Sequence, residues 1–244
     1  MGLGWKISRR NHPLSNVVIH ETAIIHPNVE IGEGSRIGAF CELGVPSPLA
    51  ASDRLVIGPN ALIRSHSIFY TGSTFGAGLT TGHRVTVREN VVAGKSLQIG
   101  TLSDLQGHSS FGDHVRLHSN VHVGQKSTIG DFVFIFPYVV LTNDPTPPSE
   151  ELLGVTLEDY SIVATMSVVL PGARVGCGAL VGAMSLVKGD VPSDSIYVGN
   201  PGKVVGSTSK IKLRDGSPAY PWRRHFHRGY PDDVVRAWKT EFSA

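Results

Sequence analysis

Every sixth residue of this chain is apolar, and that spacing limits what it can fold into. From Ile19 the step gives Ile25, Ile31, Ile37 and Leu43. After a Pro/Ser/Ala-rich interruption it restarts at Ile57 and runs unbroken to Leu141, with one polar member, Thr81. After a second interruption it resumes at Leu157 and ends at Val187. Four residues beyond each anchor the side chain is small or aliphatic almost throughout, as at Cys41, Ala61, Ser103, Ser109, Val133 and Ala179. Glycine often follows the anchor, as at Gly58, Gly100, Gly112 and Gly176.

Period six fits neither an α-helix nor one alternating strand. It fits short strands separated by a corner every six residues. Positions i and i+4 then point inward, and i+1 to i+3 make the corner, where glycine supplies positive φ. Three strands close a triangular coil of 18 residues, and each coil stacks about 4.8 Å from the last. The expected fold is all-β, a solenoid of hexapeptide repeats. It covers residues 1–206, with loops at about 44–55 and 143–156. Residues 207–244 form an extension outside the repeat. Within it, PDDVVRAWKTEF predicts a short amphipathic helix that packs through Val234, Val235, Trp238 and Phe242. The preceding KIKLRDGSPAYPWRRHFHRGY is basic and aromatic. It reads either as a solvated tail or as a contact for phosphates, which Arg binds in bidentate geometry.

A net charge of +2 with 17% charged residues gives no reason to expect nucleic-acid or membrane-surface partners. Two cysteines, Cys41 and Cys177, are too few for a disulfide framework. The N-terminal MGLGWKISRR has no apolar run that could act as a signal peptide. The expected setting is the cytoplasm.

Corner residues face outward, so corner columns can carry chemistry. His83, His118, Ser119 and Asn120 share one column. Glu89, Asn90, His108, Lys126, Asn143 and Asp144 share another. In a trimer, one column could face the other across the subunit boundary.

The runs IGEGSRIGAF and VLPGARVGCGALVGAMSLVKGDVPSDSIYVGNPGKVV resemble the hexapeptide-repeat acyltransferases over roughly Val18 to Val205. The resemblance implies a left-handed β-helix, a homotrimer, and active sites between subunits that use acetyl-CoA or another acyl-CoA and no metal. The segments TGHRVTVREN, QGHSSFGDHVRLHSNVHV and VLTNDPTPP are similar to the N-acyltransferases of nucleotide-linked 3-amino sugars. By that similarity Glu89, Asn90, His118, Asn120, Asn143 and Asp144 would line the sugar and nucleotide end. The stretch PTPPSEELLG departs from those relatives, which carry a basic residue and one Pro there, and this leaves the sugar open. The resemblance puts the acyl donor along Ala164, Gly182 and Ala183, with Lys203 meeting its phosphates.

Amide formation needs a base for the attacking amine, and a His near pKa 6.5 suits that role. His108 and His83 are the candidates. An amine that is already neutral, attacking by proximity alone, is the alternative. A covalent acyl-enzyme is not expected, because Cys41 points inward and Cys177 lacks a His–Asp setting. Three other readings stay open: O-acetylation of a sugar or small xenobiotic, a zinc hydratase of the γ-carbonic-anhydrase type, and a non-catalytic scaffold. The zinc reading is disfavoured because His108 and His114, six apart, should occupy different corners.

Overall fold

The computed structural model describes residues 5–7 and 16–243. From Val18 to Val191 the chain winds as a left-handed parallel β-helix, and each coil gives one short strand to each of three faces. Face 1 runs from Val18–His20 through Arg36–Ile37 and Leu62–Ile63 down to Leu180–Val181 and Ser195–Gly199. Face 2 runs from Ile24–Ile25 to Leu186–Val187, and face 3 from Val29–Ile31 to Asp190–Val191. Antiparallel strands close face 1 at both ends: Trp5–Ile7 against Val18–His20, and Gly202–Ser207 against Ser195–Gly199.

The register step is 18 residues, as in Thr80↔Gln98 and Gln98↔Arg116. It lengthens twice, at Ile31↔Ile57 and Ile129↔Leu157. Both insertions leave the same edge, between faces 2 and 3. The first follows Glu42–Val45 and the second follows Val140–Leu141.

The anchors fill the prism. Ile37, Leu43, Ile63, Phe69, Ile99, Leu105, Ile135 and Val163 are fully or almost fully buried. The first anchors, Ile19, Ile25 and Ile31, are only partly covered, because fewer coils stack on that end. Most polar exceptions inside are satisfied, whereas the buried Ser161 hydroxyl has no partner among the described residues. Thr81 Oγ1 accepts from the Arg64 backbone N–H at 2.9 Å. Ser103 Oγ donates to the His118 carbonyl at 2.9 Å and accepts from the Val121 N–H at 3.1 Å. Small hydroxyls therefore serve where a corner leaves backbone groups inside the prism.

One expectation about the corners needs correction. Positive φ falls on the third corner residue, and most of these residues are not glycine: His108 (48°), His114 (58°), Asn120 (60°) and Phe132 (57°) are examples. Each of these costs about 1 kcal/mol or more for an L-residue. A backbone bond to the preceding coil holds each one, as in His108 N–H to Glu89 O at 2.9 Å and Asn120 N–H to Thr101 O at 2.9 Å. The glycines after the anchors serve a different purpose. A Cβ on Gly100 would lie 2.2 Å from the His118 carbonyl carbon of the next coil. Glycine is needed there for stacking.

Along the edge between faces 3 and 1, carboxylates link coils. Asp113, Asp131 and Asp159 each accept the backbone N–H of the equivalent residue one coil earlier, at 2.7–2.8 Å. The same edge receives the extension. Its helix, Asp232–Glu241, forms as expected and buries Trp238. Trp222, Tyr230 and Trp238 pack with Ile162 against Phe132, Phe134, Tyr160 and Leu180, and Trp222 Nε1–H donates to the Tyr160 carbonyl at 3.1 Å. The C-terminal half of face 1 thus has an apolar outer surface with an aromatic cover.

Replacing Ser103 with Trp should overfill a coil and strand two buried backbone groups. A loss of at least about 3 kcal/mol is expected by urea unfolding, and a wild-type midpoint would contradict the inward assignment. His114 tests the cover. It is buried and stacked on Phe132 at 4.9 Å, and burial followed by Lys95 holds its pKa below the ordinary histidine value. The unfolded chain therefore binds the proton more readily, and this contribution to stability is present above about pH 6.5 and lost as pH falls. His114→Phe should show a smaller drop in Tm between about pH 7.5 and 5.5 than the wild type. An equal drop would show that this ring is not the source.

Candidate active site on the edges of the prism

His83 is exposed on the edge between faces 1 and 2, with Nδ1 2.8 Å from Ser65 Oγ. His118 lies on the same edge, stacked on Phe136 at 5.1 Å. Burial, then the Arg116 charge, holds the His118 pKa below the usual value. Asn120 completes that corner with its positive φ. Ala164, Gly182 and Ala183 continue the same edge toward the C-terminal end. A Cβ on Gly182 would meet Val198 Cγ1 at 2.6 Å, so coil stacking alone accounts for that glycine. Lys203 is exposed in the terminal hairpin, opposite Val198.

His108 is exposed on the other edge, between faces 2 and 3. The Asn90 amide nitrogen lies 3.3 Å from its ring. Within one chain His83 and His108 therefore stand on different edges. Asn90 also anchors the first loop: it donates to the Leu49 carbonyl at 2.9 Å and accepts from the Ala51 N–H at 2.7 Å.

Glu89 departs from the expectation of a cleft-lining group. Its side chain is completely buried. Arg88 grips it with two N–H donors at 3.1 and 3.2 Å. Burial pushes its pKa up, but bonds from its own backbone, Arg88 and Ser47 outweigh this, and the net shift is downward. The first loop folds over it.

Asn143 and Asp144 hold the second loop. The Asn143 carbonyl accepts from the Leu153 N–H at 2.8 Å and closes the loop's base. The Asp144 carboxylate accepts from Ser149 Oγ at 2.6 Å, Ser149 N–H at 3.0 Å and Thr146 N–H at 3.1 Å. The Ser149 hydroxyl is the main cause of its lowered pKa.

Spacing alone missed two groups. On the outer surface of face 2, His122 Nδ1 lies 3.3 Å from Asp104 Oδ2, a pairing set by the 18-residue register. On face 1, Arg116 is buried under the extension, with the Tyr230 ring 3.8 Å from its guanidinium carbon. Both sit on strands, whereas corner columns supplied the candidates. The aromatic-basic composition of the extension was the available signal for the second.

His108, His114 and His118 stand on three different edges, because each falls in the corner after a different strand. Among the described residues no three His, Cys, Asp or Glu side chains gather in an arrangement able to hold a metal ion. Cys41 is buried and Cys177 exposed. Burial raises both thiol pKa values, and nearby carboxylates push Cys177 higher still. A nucleophilic cysteine needs the opposite shift. No described helix is long and apolar enough to cross a membrane.

The sequence profile of bacterial transferase hexapeptides (six repeats) matches residues 15–44. The chain is 38% identical over 133 residues to a Bacillus pumilus serine acetyltransferase, covering 54% of this chain and 55% of that protein. It is 35% identical over 85 residues to a Staphylococcus aureus 2,3,4,5-tetrahydropyridine-2,6-dicarboxylate N-acetyltransferase, 35% of each. It thus spans about half or less of these relatives. In structure it resembles a Francisella novicida UDP-N-acetylglucosamine acyltransferase, with TM-score 0.69, 20% identity, and coverage of 92% of this chain and 78% of that one. A Campylobacter jejuni UDP-N-acetylglucosamine acyltransferase gives TM-score 0.57, 18% identity, and coverage of 93% and 85%. Identities this low speak to the fold alone.

Asp144→Ala should free the second loop without unfolding the helix. We expect faster proteolysis between residues 145 and 153 and a fall in stability of about 1 kcal/mol. An unchanged cleavage rate would show that the prolines alone hold the loop.

Proposed function

We propose that this hexapeptide-repeat β-helix is an acyl-CoA-dependent acyltransferase, with the acceptor the amine of a nucleotide-linked 3-amino sugar. One observation carries the reading: two exposed corner histidines, His83 and His108, sit on the two edges that flank face 2. Around a threefold axis, the His83 edge of one protomer would lie against the His108 edge of its neighbour. A cleft would then form only in the homotrimer, with both loops on its rim. The acetyltransferase relatives support an acyl-CoA donor.

The chemistry follows from amide formation. The amine nitrogen attacks the thioester carbonyl and forms the C–N bond. His108 or His83 takes the proton from nitrogen. As the C–S bond breaks, that proton passes to the departing CoA thiolate. Ala164, Gly182 and Ala183 leave their edge free of bulk, which suits a pantetheine arm, and Lys203 would meet the donor's phosphates. His118, Asn120, Asn90, Asn143 and Asp144 would surround the acceptor. Glu89 acts indirectly, by fixing Arg88 and the first loop.

The similarity to a serine acetyltransferase favours a second reading, transfer to a hydroxyl. Thiol release from acetyl-CoA, measured with matched amino and hydroxy nucleotide sugars, separates the two. Turnover of the amino sugar alone supports N-acylation, turnover of the hydroxy sugar supports O-acylation, and none with either removes both. His108→Ala and His83→Ala should leave the oligomer intact by light scattering. At least one should cut the rate about 100-fold or more, the usual cost of losing a general base. If neither does, the amine attacks without a side-chain base.

A further inference from the structure

The outward column of face 1 changes character along its length. Thr80 and Gln98 are open, whereas Phe134, Ile162 and Leu180 lie under the aromatic extension. Arg116 stands at the boundary. It is only 9% exposed, and its Nη2 has no hydrogen-bond partner. Three rings surround the guanidinium: Tyr230 at 3.8 Å, and Phe134 and Phe226 at 5.8 Å each. A buried cation normally keeps a carboxylate, because desolvating an unpaired charge is expensive. Among the described residues neither Arg116 nor Arg228 makes an ion pair. The Tyr230 phenol cannot supply the missing anion, since burial pushes its pKa up to about 12. Burial holds the Arg116 pKa below the usual guanidinium value, Tyr230 offsets part of this, and the nearby Arg228 cation adds to it.

Both guanidiniums line a cavity of about 470 Å³ at the rim of the extension, floored by Gln98, His118 and Ser119. A second hollow, reaching Arg64 and His83, shares Gln98, Gly100, Leu117 and Ser119 with it. The two make one groove along face 1. Gly229 (φ +74°) lets the chain pass close to Arg116: a Cβ there would lie 3.2 Å from Nη2.

We propose that Arg116 and Arg228 form a subsite for a phosphate or diphosphate ester, built when the extension closes over face 1. An oxyanion in the cavity would give the Arg116 guanidinium the anionic partner it lacks, and the planar fork of each guanidinium matches phosphate oxygens. Tyr230 and Phe226 hold the Arg116 fork in place before the ligand arrives. The site uses side chains of one protomer, so it holds whatever the acyl acceptor proves to be. Two phosphorylated ligands could fill it: the diphosphate of a nucleotide-linked acceptor, or the phosphates of the acyl donor.

The test is binding of inorganic pyrophosphate to the full chain by calorimetry, with the ligand-induced rise in Tm as a second readout. The wild type should bind. Arg228→Gln, at an exposed position, should weaken binding about tenfold or more, as should Arg116→Gln. Arg116→Lys keeps the charge without the fork and should fall between. Lys188→Gln, on a different edge, should bind like the wild type. If Arg116→Gln does not fold, Arg228→Gln decides. Uridine diphosphate and 3′,5′-ADP then separate the sources: whichever binds more tightly, and loses that advantage in Arg228→Gln, identifies the natural ligand. No wild-type binding at about 10 mM pyrophosphate, or equal binding by wild type and both glutamine variants, overturns the proposal.

Discussion

Stacking governs this molecule. Each coil touches only its neighbours, and the backbone must return to the same place every 18 residues for the ladders to form. Two features recur at the corners. Where glycine follows the anchor, the next coil's backbone approaches too closely for a Cβ, as the His118 carbonyl does at Gly100. The third corner residue must turn through positive φ, and its N–H is then pinned to the coil before it. The interior needs only a suitable volume, so Ile, Leu, Val, Phe and even Thr81 can share one column. Strict geometry at the corners and loose chemistry inside let a repeat drift in sequence while its register holds.

The same logic explains what sequence could and could not reveal. The anchors were legible because burial repeats at fixed spacing, and the two insertions were legible as breaks in that spacing. The turning residues were not legible as such. Composition suggests that glycine takes the left-handed position, whereas His108, His114, Phe132 and Lys126 take it. Placing candidates in columns was sound for His83 and His108, which do stand outward on separate edges. It misread the surroundings of Glu89, whose corner lies beneath a loop that departs from the same edge more than thirty residues earlier in the chain. Arg116 was hidden for a similar reason. An outward strand position reads as solvated, and nothing local to it announces an aromatic cover contributed by residues 222–238.

The extension changes what face 1 can do. A parallel sheet with Phe134, Ile162 and Leu180 on its outer side would present an apolar patch to water. Trp222, Tyr230 and Trp238 remove that patch and in doing so end abruptly at Arg116. The edge of a cover is where low dielectric meets solvent, and a charge there is both stiffly held and reachable. Mid-face it would be inaccessible, and on the bare N-terminal half it would be hydrated and mobile. The boundary position is what would let Arg116 serve the proposed phosphate subsite as well as the packing.

The histidine proposed for the chemistry is held in a comparable way. His108 occupies a positive-φ corner, and its N–H bonds to the carbonyl of Glu89. The carboxylate of that same Glu89 is buried against Arg88 and receives a bond from Ser47 of the first loop. Asn90, next in sequence, fastens the loop at Leu49 and Ala51 and also approaches the His108 ring. Loop and histidine therefore share one anchor of two adjacent residues. A side chain fixed this way pays its ordering cost during folding and not at each turnover, which is the basis of pre-organisation. A disturbance of the loop would reach the ring through Asn90 and the backbone through Glu89. The first insertion, far from being a decoration on the repeat, is part of what aims His108 outward.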